Sequence, residues 1–379
     1  MGSYKNNSSP ENSQTGSLLI RDSSIYTDFI SNINWMKKVL RSEIEELAPN
    51  LLPLAKYYLN KRLNILDTGK TVADPRYGRP MPFLALWFSN SLGIKKKNDA
   101  NKFALALTYA NLFFCIRDDL IDGRVLLSRK KLASEHEHIA LSNFYYIKYF
   151  NIFEEFFPKS STIWYILADS FRGWWENEYW SLGLREVNYH FRNSDFLPLS
   201  KRFLSKSSQY LISITFPTIA GLTILSGNVK LLPQMRNFLS NYFIGFRISD
   251  DLRDWRQDLH VKGYNCSSVI YHALSLRRDL KRMTSVSMNS AFFDRRFVMP
   301  LYTTMLKYYR VAKKDATQFN TLYLKKFMDD QIDYYIEERD FLLNRNISLK
   351  NFLIDFFKVM PTATASAKDS LNASMSIYN

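Results

Sequence analysis

Residues 103–116, FALALTYANLFFCI, run straight into residues 117–123, RDDLIDG, and that junction decides how the chain is read. The first fourteen positions are apolar on nearly every face of a helix, the mark of a buried one. Gly123 reads as the residue that ends it, so Asp118, Asp119 and Asp122 crowd the last turn. There the helix dipole is negative, and each carboxylate is disfavoured by roughly 0.3–1 kcal/mol. Mutual repulsion adds to the cost, and burial drives protonation unless a cation is present. A bound metal ion resolves all three problems.

The design recurs further on. Residues 238–248, FLSNYFIGFRI, lead into residues 249–258, SDDLRDWRQD. Asp250, Asp254 and Asp258 are four apart and drift only about 40° per step, so the spacing predicts three carboxylates on one helix face. Asp118 and Asp122 stand in the same relation. Hard oxygen ligands of this kind suit Mg2+, which takes few carboxylates together with water and phosphate oxygens. Two such clusters facing one another predict a metal cluster that grips a diphosphate. A third stretch of similar spelling, Asp329, Asp330 and Asp333, is flanked by Lys325, Lys326, Glu337, Glu338 and Arg339 and reads as a solvated face.

Glycine and proline number only 12 each among 379 residues, and the long apolar periods are helical, without strand alternation or hairpin turns. The expectation is all-α. Helices are expected over 25–40, 44–59, 82–93, 101–122, 143–156, 161–180, 203–226, 232–260, 267–284, 299–312 and 318–344, with residues 25–360 as one domain. Residues 1–24 and 361–379 read as disordered tails. Aromatic residues make up 15% of the chain, enough for a wide core and compatible with a large apolar pocket. Cys115 and Cys266 sit in no pairing or zinc pattern, which points to a reducing, cytoplasmic setting. No uncharged apolar run of about 18 residues is present, so no transmembrane helix is expected. The net charge of +15 favours anionic partners, but no nucleic-acid motif accompanies it. Peripheral contact with a membrane stays open. His136 and His138 read as solvated, and His190, His260 and His272 are isolated. No nucleophile–histidine arrangement or glycine-rich phosphate loop is found.

Both acidic stretches resemble the aspartate-rich motifs of the class I isoprenoid synthases, the superfamily of trans-prenyl diphosphate synthases, squalene and phytoene synthases and terpene cyclases. Residues 76–80, RYGRP, resemble the family's basic loop Lys-x-x-Arg-Pro, with Arg76 for the lysine and Arg79 at the arginine. Lys206-Ser207 resembles its Lys-Thr pair, and residues 243–247, FIGFR, resemble the approach to the second motif, with Arg247 where prenyl synthases carry glutamine. The resemblance spans residues 76–264. It departs at Asn111, where prenyl synthases place a histidine, and in lacking their Arg-Arg-Gly, for which Arg129-Lys130-Lys131 is a loose substitute. Those positions hold the second substrate in that family. The Asp250/Asp254/Asp258 set resembles the three-ligand motif of terpene cyclases.

The resemblance implies one large helical bundle around a central apolar cavity, with Asp118, Asp119 and Asp122 on one side and Asp250, Asp254 and Asp258 on the other. These would hold two or three Mg2+ ions, with Mn2+ as an alternative. Arg253 and Lys206 are the catalytic candidates, neutralising the departing diphosphate with Arg76, Arg79 and Lys262. Asn111, Phe113, Phe114 and Phe246 are expected to contact substrate, with Trp174 and Trp175 as further cavity aromatics and Glu176 and Glu178 beside them. The allylic carbocation left behind must not meet water, and an aromatic face near it is worth roughly 0.5–2 kcal/mol. The first expectation is a terpene synthase acting on an allylic prenyl diphosphate. The second is a prenyltransferase, by chain elongation, head-to-head condensation or alkylation of another acceptor. The third is an inactive partner subunit of a prenyl synthase. A homodimer is also expected as an option.

Overall fold

The computed structural model describes residues 24–67, 81–121, 133–186, 199–259, 267–276, 288–289, 291–292, 294–319 and 321–359. Among these no strand occurs, as the spacing predicted. The helices are α1 (Ser24–Thr27), α2 (Ile30–Glu45), α3 (Leu52–Asp67), α4 (Met81–Ser91), α5 (Lys97–Ile121), α6 (Glu135–Phe156), α7 (Ile163–Glu186), α8 (Lys201–Leu225), α9 (Leu232–Asp258), α10 (Ser268–Leu276), α11 (Arg295–Ala316) and α12 (Leu322–Val359).

Helix α8 is the hub, packed against α4, α5, α7 and α9. By length and composition alone it is apolar enough to cross a membrane, and 78% of its most apolar stretch is buried. Within this fold that apolar length is buried among its four neighbours, as a core helix requires. Helix α9 continues outward to α11, and α11 to α12. Helix α11 shows the amphipathic logic plainly. Phe297, Leu301, Met305 and Tyr309 recur every four residues and are buried, while Lys307, Arg310 and Lys314 face away.

Several ends differ from the expected ones for local reasons. Helix α6 starts at Glu135, eight residues early, because Ser134 and Glu137 form a capping box: the Glu137 amide donates to Ser134 Oγ at 3.2 Å, and the Ser134 amide donates to Glu137 Oε2 at 2.6 Å. Helix α2 runs on to Glu45, and the break before α3 falls at residues 46–51, around Pro49. Asp294 caps α11 by accepting from the Arg296 amide at 2.8 Å, so that helix begins four residues early. Helix α12 extends to Val359 rather than ending at residue 344.

Two glycines let helices approach closely. A Cβ on Gly221 of α8 would lie 2.7 Å from Phe103 Cε1 of α5, and one on Gly245 of α9 would lie 2.8 Å from Tyr309 Cδ1 of α11. Phe103 and Tyr309 are fully buried and have no room to yield. Gly245→Ala is therefore expected to destabilise the protein by about 1–3 kcal/mol through overpacking. An unchanged urea midpoint would show that the α9–α11 contact is looser than described.

Candidate metal centre

Contacts with α8 set the direction of its neighbours. Gly221, late in α8, faces Phe103, early in α5, and Thr223 Oγ1 donates to Met235 Sδ, early in α9, at 2.9 Å. Late in α7, Asn177 Nδ2 donates to the Lys206 carbonyl and Trp180 meets the Phe203 ring 5.7 Å away, both early in α8. Midway, Gly173 of α7 lies against Gln209 and Ser213, and Trp174 touches Phe114 of α5 at 5.0 Å. Helices α5, α7 and α9 thus all run against α8 and finish where it begins. Fifteen positions separate Phe103 from Asp118, Met235 from Asp250, and Gly221 from Lys206, about 22 Å along each axis at 1.5 Å per residue. Asp118, Asp250 and Lys206 therefore stand at one level, at one end of the bundle.

At the end of α9, carboxylate oxygens of Asp251, Asp254 and Asp258 lie within 4.8 Å of one another. The trio predicted from four-residue spacing had Asp250 in place of Asp251. Helix geometry explains the difference, since residues seven apart return to within about 20° of each other and residues eight apart do not. Asp250 turns toward Arg253, whose Nη2 is 3.1 Å from Asp250 Oδ1. Asp251 is buried and held from two sides. Arg247 Nε lies 3.0 Å from its Oδ1, and the amide and hydroxyl of Ser268, at the start of α10, both donate to its Oδ2 at 2.6 Å.

These contacts set the charges. Burial pushes the Asp254 carboxyl up to about 9, reinforced by Asp250, Asp258 and Asp251. Its Oδ1 is buried with no hydrogen-bond partner among the described residues. Burial lifts Asp251 too, to about 7, against the pull of Arg247 and Ser268. Burial would lower the Arg247 guanidinium, yet Asp251, Tyr210, Asp258 and Asp250 around it hold it well above its ordinary value. We take the Arg247–Asp251 pair as charged, because the guanidinium lies 3.0 Å from Oδ1 and two Ser268 donors bind Oδ2, which together outweigh burial. The crowded oxygens form a hard donor set that fits Mg2+ or Mn2+. Asp254 and Asp258 could hold an ion together with Asp251 or Asp250; both oxygens of Asp251 already face Arg247 or Ser268.

On the α5 side, Asp119 is buried and accepts from the Tyr58 hydroxyl at 2.9 Å, which turns it toward α3. Asp118, half-buried, projects from the next position round the helix. Asp122, Arg76, Arg79, Lys262, His190, His260 and residues 129–131 lie outside the described residues. Lys206 is half-buried at the level of the acidic ends. Asn111 Oδ1 accepts from Cys115 Sγ at 3.4 Å. Phe113, Phe114 and Trp174 are buried against each other, whereas Trp175 is 60% exposed, one helical step having turned it outward. Glu176 is exposed and Glu178 buried. Phe246 is buried with the Arg253 guanidinium 5.7 Å from its ring centre. The same guanidinium pairs with Asp250, which places Arg253 beside the cluster. His138, expected in solvent, is buried with Nδ1 3.0 Å from the Ser134 carbonyl and its ring 6.1 Å from Tyr58. Asp329 is half-exposed and paired with Lys313, in keeping with its reading as surface.

Sequence reasoning missed Asp251, Arg247, Ser268 and Tyr58 as parts of this site. One signal was available: Arg247 precedes Asp251 by four residues, the spacing of a helical ion pair.

No family model matches the chain, and no curated protein is similar to it in sequence. Solved structures match it in fold. A geranylgeranyl pyrophosphate synthetase from the archaeon Geoglobus acetivorans is 16% identical with a TM-score of 0.59, over 85% of this chain and 99% of that one. A geranylgeranyl pyrophosphate synthase from Lactobacillus brevis is 13% identical with a TM-score of 0.60, over 83% and 100%. A polyprenyl synthase from Caulobacter crescentus, solved with calcium and isoprenyl diphosphate, is 16% identical with a TM-score of 0.56, over 84% and 98%. The chain has the all-α fold of the class I isoprenoid synthases.

Proposed function

We propose that this chain, built on the class I isoprenoid synthase fold, is a magnesium-dependent prenyltransferase that ionises an allylic prenyl diphosphate and joins its prenyl group to an acceptor. One observation carries the reading: two acidic helix ends stand level at one end of the bundle, and at one of them carboxylate oxygens of Asp251, Asp254 and Asp258 crowd within 4.8 Å of one another. Asp250, Asp254 and Asp258 would hold Mg2+ from α9, and Asp118, Asp119 and Asp122 from α5. When bound, the ions supply electrophilic stabilisation of the charge that develops on the leaving diphosphate. Lys206 would add a positive charge at the same level, where charge on the leaving group appears. Arg76, Arg79 and Lys262 join it as phosphate contacts implied by the motif match. The allylic C–O bond breaks with its electron pair leaving on the diphosphate. The acceptor's π electrons then form the new C–C bond, and loss of a proton restores a double bond. The buried rings of Phe113, Phe114 and Trp174 keep water from the flank of α5 that faces α7.

Cyclisation, the first expectation, rested on the spacing of Asp250, Asp254 and Asp258 and on the incomplete elongation residues at Asn111 and residues 129–131. The trio that gathers contains Asp251 instead, tied to Arg247 and Ser268. The similar solved structures are named as prenyl diphosphate synthases. That second point favours transfer. The test incubates the protein with Mg2+ and geranyl, farnesyl or geranylgeranyl diphosphate, with and without isopentenyl diphosphate, and measures diphosphate release and products. A longer diphosphate made only with the second substrate supports elongation. Hydrocarbon or alcohol formed without it returns the assignment to a terpene synthase, and no turnover in any mixture points to the inactive subunit.

A further inference from the structure

Helix α9 carries chemistry on two faces. Asp251, Asp254 and Asp258 occupy one; Ser249, Leu252, Arg253 and Arg256 project from the other, toward α11 and α12. There a cavity of 340 Å³ opens, a size that falls in the range of small-molecule sites. Its floor is aromatic and buried, formed by Trp255, Tyr302, Tyr334 and Tyr335. Its rim is cationic, with Arg253, Arg256 and Arg345 against one carboxylate, Glu338, which is hydrogen-bonded to Tyr302. Arg256 is already oriented, lying over the Trp255 ring at 4.6 Å and reaching Asn289 Oδ1 at 3.3 Å.

We propose that this cavity binds an anion carrying a compact apolar body, a phosphate monoester or carboxylate on a short alkyl or aryl group, and that its occupancy tightens ion binding at the metal centre. A bare phosphate would leave the aromatic floor wet. A neutral apolar ligand would strip water from the exposed Arg256 and Arg345 groups without replacing its hydrogen bonds. An anionic amphiphile satisfies both. The coupling runs through Arg253, which lines the cavity and also holds Asp250. An anion that engages Arg253 competes with Asp250 and releases a carboxylate one helical turn before Asp254. Linkage makes the effect reciprocal: ions at the centre tighten the anion equally. The binding half stands apart from the proposed function, while the coupling half rests on its metal site.

The test uses the full chain in EDTA, titrated calorimetrically with octyl phosphate, inorganic phosphate and octanol. Octyl phosphate is expected to saturate at one per chain and to bind about tenfold or more tightly than either other probe. Arg256→Ala and Arg345→Ala, both exposed positions, should each weaken it about fivefold or more. Leu342→Trp, which fills the cavity, should abolish it, and the two arginine variants decide the matter if that protein fails to fold. In a Mg2+ titration read by thermal midpoint, saturating octyl phosphate should lower half-saturation about fivefold. Arg253→Ala should bind Mg2+ tightly from the outset and show no further response. Non-saturable binding, or binding indifferent to Arg256→Ala and Arg345→Ala, overturns the site. Binding with unchanged Mg2+ half-saturation overturns the coupling. Failure to release diphosphate from any prenyl substrate would sink the proposed function and leave both of these results standing.

Discussion

Asp254→Asn is expected to abolish Mg2+-dependent diphosphate release and, at the same time, to make the metal-free protein more stable. The activity loss follows from removing a carboxylate at the centre of the ion-binding set, and should be at least about 100-fold, beyond what outer-shell changes cost. The stability gain follows from the same crowding. Asp254 sits among Asp250, Asp251 and Asp258, with its carboxyl pushed up to about 9 by burial and then by those neighbours. A group whose folded pKa exceeds its unfolded one contributes stability that is full below the unfolded value, near 3.8, and is lost as pH rises toward the folded value. The metal-free wild type should therefore lose thermal stability from about pH 4 to pH 9. Asp254→Asn should flatten that slope and gain on the order of 1–3 kcal/mol at neutral pH. Added Mg2+ should stabilise the wild type increasingly with pH, because the ion takes the place of protons and releases them. Thermal scans across pH, with EDTA or Mg2+, read all of this. If Asp254→Asn were less stable than the wild type without metal, the crowding would not be real.

Arg247→Met should have the largest effect on stability. Arg247 is only 8% exposed and faces Asp251 at 3.0 Å, with Asp258 and Asp250 also acting on it. Removing one partner of a buried ion pair leaves an uncompensated charge, at a cost of about 3–5 kcal/mol. Arg247→Lys keeps the charge and should lose much less. Arg247→Met combined with Asp251→Leu should regain part of the loss, which separates charge from packing in a double-mutant cycle. Equilibrium urea denaturation is the measurement, and an Arg247→Met midpoint close to that of the wild type would refute the pairing.

Fold class was legible because apolar residues recur with helical period over long stretches and little glycine or proline interrupts them. The acidic ends of α5 and α9 were legible because aspartates at the end of a buried helix contradict its dipole. Which aspartate faces which neighbour was not. Asp250 and Asp251 are adjacent and chemically equal, and only packing decides how α9 is rolled. Trp174 and Trp175 repeat the lesson: one is core and the other solvent, separated by a single helical step. His138 looked solvated among charged neighbours, but α3 brings Tyr58 over it from far away in sequence. Ser268 lies in another helix, and its bonds to Asp251 form only once α10 docks on α9.

Bare backbone at Gly245 beneath the Tyr309 ring works like a key in a slot. Turning α9 about its axis by one residue would swing a side chain into that ring and would also trade the carboxylates for the guanidinium groups on the side they serve. The helix therefore has one admissible angular setting, and the chemistry of the whole acidic end is indexed by a missing methyl group nine residues upstream of Asp254.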